Sequence, residues 1–178
     1  MVIWLTADLH IGHHNIIRYC ERPFKDLNSM HETIIERWND CISEEDTVYI
    51  LGDLGFVKKS GKAISEVVKR LNGRKILIRG NHDKGEKNWY LENGIDEISG
   101  HYVTMEGSLL SHYPLELDIH DGKKVRKIKG ILSEVYIRDK CKFHYYAHTH
   151  RIPVKGENFM NVGVDLHDYY PVRYRKAK

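Results

Sequence analysis

The sequence has few cysteines, no long apolar run and little net charge. Its three cysteines, Cys20, Cys41 and Cys141, are odd in number and widely spaced, which is poor evidence for a disulfide framework and fits a reducing compartment. No apolar stretch approaches the roughly 20 residues that span a bilayer. Met1 is followed by an apolar run rather than by a basic leader. We therefore expect a cytoplasmic protein with no membrane partner.

Length and charge set further limits on the class of protein. The 178 residues are 41% apolar and 30% charged, as in an ordinary globular protein. No linker, repeat or low-complexity tract divides them, so we predict a single domain over residues 1–178. A net charge of +3 is too small to indicate nucleic-acid binding by itself.

The 12 histidines are more informative than the overall composition. Short apolar runs, which are typical of buried strands, are repeatedly followed by side chains that bind metals. In layered α/β folds, ligand sites gather at the carboxyl ends of the strands. The residues that follow the runs are Asp8 and His10, Asp53, Asn81 with His82 and Asp83, His112, and His148 with His150. The sequence therefore predicts one site assembled from distant parts of the chain.

The order of strand and helix patterns indicates an α/β fold. Strands are predicted at residues 1–7, 46–51 and 74–79, and helices at 15–20, 29–42, 63–71 and 87–92. The spacing of Ser29 and Glu32 is typical of a capping box, which places the start of the second helix at Ser29. A hairpin with its turn at Glu106-Gly107 is predicted over 101–111, followed by strands at 145–147 and 159–164. The early alternation favours parallel strands joined by helical crossovers.

Positive charge is concentrated in one segment. Lys123, Lys124, Arg126, Lys127 and Lys129 follow a turn predicted at Asp121-Gly122, and a helix is predicted only around 131–137. Two interpretations stay open: a solvated basic surface, or a flap over a phosphate-bearing substrate, because clustered Lys and Arg attract polyanions. The span from 114 to 143 is longer than a turn requires, and we predict that it forms part of the pocket rim.

The predicted ligand types suit transition metals. Imidazole and carboxylate groups bind Mn, Fe, Ni or Zn, and seven ligands exceed the needs of one tetrahedral ion but suffice for two if a carboxylate bridges. Two ions about 3.5–4 Å apart stabilise the attacking and leaving oxygens of an in-line displacement. That chemistry suits a phosphoester. Neither a Ser-His-Asp arrangement nor a Gly-x-x-x-x-Gly-Lys loop is legible in the sequence.

The motifs resemble those of a known family. Asp8-x-His10, Gly52-Asp53, Gly80-Asn81-His82-Asp83, His112 and His148-x-His150 occur in the order used by calcineurin-like metallophosphoesterases. These blocks cover most of the chain, although Ala147 stands where the family's last block has glycine. The opening around Thr6–His13 and the segment Asn161–Asp165 resemble small single-domain bacterial and phage members. The resemblance implies a two-sheet β-sandwich flanked by helices, in four α/β/β/α layers.

The resemblance also implies a role for each residue. It assigns Asp8, His10 and His150 to one metal ion, Asn81, His112 and His148 to the other, and Asp53 to a bridge between them. His82 is the implied catalytic histidine, which stabilises the phosphoryl oxygens or protonates the leaving oxygen, and Asp83 would orient its imidazole. His13 is expected to line the phosphate pocket. Arg18 and Arg22 are predicted near the mouth of the first loop, where they could contact the substrate phosphate.

The predicted function is therefore a dinuclear metal-dependent phosphoesterase in which a metal-bridging hydroxide attacks the phosphoester. Two divalent ions are expected, with Mn favoured and Fe, Ni or Zn as alternatives. Phosphodiesters are favoured as substrates, including nucleotides or nucleic acid. The alternatives are a phosphomonoesterase with the same metal site and a non-enzymatic binding member of the same fold. Small members of such families often pair, so a homodimer is also expected.

Overall fold

The computed structural model describes residues 1–115, 122–152, 154 and 156–177. Within these residues, nine strands form two sheets that are flanked by five α-helices. No helix in this part of the chain has both the length and the apolar character needed to cross a membrane.

The elements follow one another in a regular order. They are β1 (Ile3–Thr6), α1 (His14–Tyr19), α2 (Leu27–Cys41), β2 (Thr47–Ile50), α3 (Val57–Val68), β3 (Arg74–Ile78), α4 (Lys87–Glu92), β4 (Glu97–Ser99), β5 (Tyr102–Met105), β6 (Ser108–Ser111), α5 (Lys123–Arg138), β7 (Phe143–Tyr146), β8 (Phe159–Asn161), a 3₁₀ turn (Val164–Leu166) and β9 (Val172–Arg173).

The first sheet has the order β4-β3-β2-β1-β9. Strands β1 to β4 pair in parallel, and β9 lies antiparallel to β1 at the edge. The predicted parallel pairing through helical crossovers is confirmed, because a helix lies between each pair of these strands. Their carboxyl ends consequently meet at one edge of the sheet.

The second sheet has the order β5-β6-β7-β8. Strands β5 and β6 form the predicted hairpin, while β6, β7 and β8 pair in parallel. Glu106 and Gly107 at its tip both have positive φ, 47° and 79°. This is the backbone of a type I′ turn, which matches the twist of the flanking strands.

Alternation along the central strands separates three apolar cores. On β2, Val48 faces helices α1 to α4, whereas its neighbour Tyr49 faces the second sheet. Helix α5 covers the other face of the second sheet, where Leu132 packs near Leu109. The layers are therefore helix, sheet, sheet, helix, which is the α/β/β/α arrangement that the family resemblance implied.

Helices α2, α3 and α5 begin two or more residues earlier than predicted. Helix α2 starts at Leu27 because the carboxylate of Asp26 accepts the N–H of Ser29 at 2.7 Å, so Ser29 occupies the third helical position and is not the cap. Helix α3 starts at Val57, six residues before the predicted start.

Helix α5 starts at Lys123, so the basic segment forms the first helical turns, and the prediction of a helix only around residues 131–137 is wrong. Both interpretations of the basic charge stay predictions. The apolar spacing of Val125 and Ile128 continues that of Leu132, which explains why the helix extends back to this point. Part of the predicted turn and rim, residues 116–121, lies outside the described residues.

Candidate metal centre

The loops that leave β1, β2 and β7 share an unusual backbone conformation. Asp8, His10, Asp53, His148 and His150 have φ between 48° and 75°. The left-handed region costs a residue with a Cβ about 1–2 kcal/mol. Such strain persists only where the surroundings enforce it, and it clusters at functional sites. All five residues belong to the seven predicted ligands.

Backbone hydrogen bonds hold these loops side by side. The N–H of Asp8 donates to the carbonyl of Gly52 at 3.1 Å, and the N–H of His10 donates to the carbonyl of Asp53 at 2.9 Å. Gly52 has a φ of 87°, and a Cβ there would lie 2.6 Å from Nδ1 of His112. The loops approach so closely that only glycine fits at this position.

One group of side chains combines Asp8, His10 and His150. Each offers a ligand atom within 4.8 Å of the other two. Asp8 and His10 are buried, and among the described residues Oδ1 of Asp8 and Nε2 of His10 have no hydrogen-bond partner. Buried polar atoms without partners are costly, so these two atoms indicate a ligand between them.

A second group combines His112, Asn81 and His148. Nδ1 of His112 lies 2.8 Å from the carbonyl oxygen of Leu51, which fixes the proton on Nδ1 and leaves a lone pair on Nε2. That Nε2 lies 2.9 Å from Oδ1 of Asn81 and 3.1 Å from Nδ1 of His148. Two acceptor atoms therefore face each other, an arrangement that a cation between them would stabilise.

Asp53 lies between the two groups. Its Oδ2 is 3.6 Å from Nε2 of His10 and 3.6 Å from Nε2 of His112. Its Oδ1 accepts the backbone N–H of His82 at 2.9 Å. The structure therefore places the other six predicted ligands in two groups, with the carboxylate of Asp53 between them.

The donor set fits divalent cations. Burial raises the pKa of Asp8 to about 6, although His112 and His150 act in the opposite direction. Burial has the opposite effect on a histidine, and it lowers the pKa of His10 well below its usual range. A neutral imidazole is the form that binds metal, and a nearby cation would return the carboxyl group to its ionised form.

A cavity of about 200 Å³ opens beside this centre. His82, whose side chain is 34% exposed, lies on one wall with its Nε2 3.8 Å from Oδ2 of Asp53. His13 also lines the cavity, whereas Arg18 is exposed and does not line it. Arg18 instead stacks near Tyr19, with its Cζ 5.8 Å from the ring centroid.

Comparison with known proteins identifies the family. The sequence model of calcineurin-like phosphoesterases matches residues 1–152. The chain belongs to the calcineurin-like phosphoesterase family. The family and the clusters of Asp and His together indicate a binuclear site for divalent metal ions.

Relatives of this family member come from phages, an archaeon and a bacterium. Gene 66 protein of Mycobacterium phage L5 is 38% identical over 91% of this chain and 86% of that protein. An uncharacterized protein of Methanocaldococcus jannaschii is 48% identical over 86 residues, 48% of this chain and 49% of that protein. That match therefore spans about half of the archaeal relative. The crystal structure of a protein of unknown function from Aquifex aeolicus is similar with a TM-score of 0.78 and 27% identity, covering 97% of this chain and 95% of that chain.

Asp83 occupies a different position from the one expected of a partner to the catalytic histidine. Its carboxylate accepts backbone N–H groups from Asp53 at 2.7 Å, Gly80 at 2.9 Å and Leu54 at 3.1 Å. Among the described residues these three donors are backbone groups and none is the His82 imidazole, so its role in orienting that ring stays a prediction. Burial and the charge of Asp53 raise its pKa to about 7. Asp83 joins the loops after β2 and β3, which position Asp53.

Asp165 contacts one of the predicted ligands but was not part of the ligand motifs. Its Oδ2 accepts from Nδ1 of His150 at 2.8 Å, which leaves Nε2 of His150 for a metal. Arg22 donates to both oxygens of Asp165 at 2.8 and 2.9 Å and to the carbonyl of Asp8 at 2.7 Å. Burial raises the pKa of Asp165, but the hydrogen bonds from His150 and Arg22 outweigh it and lower the pKa.

Arg22 is consequently not a substrate contact. Its side chain is fully buried, and the expectation that it meets substrate phosphate at the loop mouth is wrong.

Ala147 fits its position despite the glycine of the family motif. It is buried, its φ is not positive, and its N–H donates to the carbonyl of His112 at 3.0 Å.

Proposed function

We propose that this chain is a dinuclear metal-dependent phosphoesterase. The observation that carries the proposal is the position of Oδ2 of Asp53, which lies 3.6 Å from a nitrogen of His10 and 3.6 Å from a nitrogen of His112. A single carboxylate between two groups of nitrogen and oxygen donors suits two ions that share it.

The proposed ligands follow from these two groups. Asp8, His10 and His150 would hold one ion, Asn81, His112 and His148 the other, and Asp53 both. The buried atoms without partners in Asp8 and His10 support the first assignment. The facing acceptors of Asn81 and His112 support the second. We propose Mn²⁺ as the ion, since this mixed donor set accepts it alongside Fe, Ni and Zn.

The chain's own residues would complete the chemistry. When bound, two such ions polarise a phosphoryl oxygen and lower the pKa of a water molecule. Nε2 of His82 faces the cavity beside Asp53, so it would stabilise the phosphoryl oxygens or donate a proton to the leaving oxygen. His13 would line the phosphate pocket from the opposite side, with its ring centroid 6.1 Å from that of His82.

We favour phosphodiesters over phosphomonoesters as substrates. The cavity beside His82 continues beyond the metal centre along α3, and this extension offers room for a second substituent on the phosphate. Nucleotides or nucleic acid are the proposed substrates. A cytoplasmic location and a homodimer also stay predictions, which fractionation of cells and analytical ultracentrifugation would check.

The test compares bis(p-nitrophenyl) phosphate with p-nitrophenyl phosphate. Chelator-treated protein should be inactive, Mn²⁺ should restore turnover, and the diester should be the better substrate. His82→Ala should lower kcat about 10²–10⁴-fold without loss of bound metal, while His14→Ala, which changes an exposed histidine at the start of α1 that does not line the cavity, serves as the control. Two bound metals with no turnover of either ester would contradict the proposal.

A further inference from the structure

The cavity beside His82 is one end of a longer groove. A second cavity of about 340 Å³ shares three lining residues with it, Gly12, Lys59 and Ser60. It continues past Lys62 and Glu66 on the next turn of α3. Lys59 therefore lies where the two cavities join, and it shares the first cavity with His10 and His82 at the proposed metal centre.

The first turn of α3 is fixed relative to the metal centre. The hydroxyl of Ser60 donates to the carbonyl of Gly12 at 3.0 Å. A Cβ on Gly12 would lie 2.5 Å from the Cβ of Ser60, so the helix and the loop that carries His10 and His13 are in close contact. This packing holds the base of Lys59 at a constant position beside the cavity.

The ammonium group of Lys59 has an environment suited to an anion. It lies 5.7 Å from the ring centroid of Phe56, and among the described residues no carboxylate pairs with it. Lys62, further along α3, is instead paired with Glu66 at 3.8 Å. The first turn of α3 contains no acidic residue and its cap has no side-chain hydrogen bond. Cations at this end of a helix are unfavourable without an anion nearby.

Phe56 connects the two regions of the groove. Its ring centroid lies 6.2 Å from that of His82 and 5.7 Å from Nζ of Lys59, and all three residues line the cavity. An aromatic face provides a surface for a sugar or a base. The wall of the groove therefore presents a histidine, an aromatic ring and a cation in sequence.

We propose that Phe56 and Lys59 form a subsite for a second phosphate group of the substrate. The substrate class is a phosphodiester whose substituent on the His82 side carries a further phosphate, as in an oligonucleotide. The ring of Phe56 contacts the nucleoside between the two phosphates, and Lys59 binds the second. This inference rests on the proposed phosphoesterase activity, because it describes how that activity selects its substrate.

The experiment compares dinucleotides that differ by one terminal phosphate. The probes are TpT, pTpT and TpTp, and cleavage of the internal diester is followed by chromatography with Mn²⁺-loaded protein. One of the two phosphorylated dinucleotides should have a kcat/KM about tenfold higher than TpT, as for a hydrogen bond to a charged group. Lys59→Ala should reduce that ratio to near one. Lys58→Ala, which removes an adjacent exposed lysine that lines neither cavity, should leave the ratio unchanged.

The ratio distinguishes a binding role from a structural one, because a folding defect would lower cleavage of all three probes alike. A wild-type ratio near one, or equal ratios in the two lysine variants, would overturn the subsite. Cleavage of bis(p-nitrophenyl) phosphate without cleavage of any dinucleotide would also overturn it. If Mn²⁺-loaded protein hydrolyses no ester at all, the proposed function itself fails.

Discussion

Replacing Asp165 with asparagine removes one charge while keeping the shape of the side chain. Asp165 accepts three hydrogen bonds, two from Arg22 and one from Nδ1 of His150. All three donors are N–H groups, so whichever way the new amide turns, its NH₂ group faces at least one of them. The change therefore leaves a buried guanidinium without its counter-charge and His150 with a weaker partner.

The magnitude has a stability part and a metal part. Removing one partner of a buried ion pair costs about 3–5 kcal/mol, and the side chains of Arg22 and Asp165 are 0% and 1% exposed. For a chain of this size each kcal/mol lowers Tm by about 2–4 °C. Loss of the carboxylate behind a ligating histidine weakens metal binding about 10–100-fold. Asp165→Asn should show both effects.

The two effects are measured separately. Urea unfolding of chelator-treated protein gives the stability change, and titration calorimetry with Mn²⁺ under folded conditions gives the change in affinity. Asp168→Asn is the control, because that carboxylate forms an exposed ion pair with Arg37. If Asp165→Asn loses stability but binds Mn²⁺ within twofold of the wild type, the argument that Asp165 positions His150 for metal is refuted.

Two further predictions concern pH and packing. His144 is fully buried, and burial lowers its pKa to about 3, so it stays neutral in the folded chain while the unfolded chain takes up a proton below about pH 6.5. The free energy of unfolding should therefore decrease as the pH falls below that value, by about 2 kcal/mol between pH 8 and pH 5. In urea unfolding, His144→Gln should lose about 2 kcal/mol less over this range than the wild type. An equal pH dependence of the two proteins would contradict the assignment. Gly52→Ala should destabilise the chain by about 1–3 kcal/mol, because the new Cβ would lie 2.6 Å from Nδ1 of His112. Gly100→Ala, which has no atom within 4 Å of its new Cβ, should show no such loss.

Much of the fold was predictable because apolar periodicity decides it. The parallel pairing of β1, β2 and β3 follows from short apolar strands separated by helices, and the β5–β6 hairpin follows from its turn. Strands β4 and β9 were missed, since three and two residues at sheet edges give no periodic signal. Helix starts were predicted too late where tertiary packing continues the helix through polar residues, as at Val57.

The positions of the proposed ligands were predictable from their place after apolar runs. Their supporting residues were not, because a carboxylate gives the same sequence signal whether it faces a metal, an imidazole or a backbone N–H. Only the structure shows that Asp83 accepts backbone N–H groups, whereas Asp165 accepts an imidazole N–H from His150. The sequence favoured a surface position for Arg22, whereas in the structure its side chain is buried and paired with Asp165. Lys59 was missed because α3 was predicted to begin after it.

The left-handed backbone of Asp8, His10, Asp53, His148 and His150 has a consequence for how the protein can be engineered. Glycine adopts that conformation without strain. Replacing any of these five residues with glycine therefore relieves the backbone strain at that position. A laboratory selection for heat resistance alone, in the absence of added metal, would then reward the loss of residues that are proposed to bind metal. Libraries screened for thermostability should hold these five positions fixed, or be screened with metal present, when the proposed ions would favour retention of each side chain.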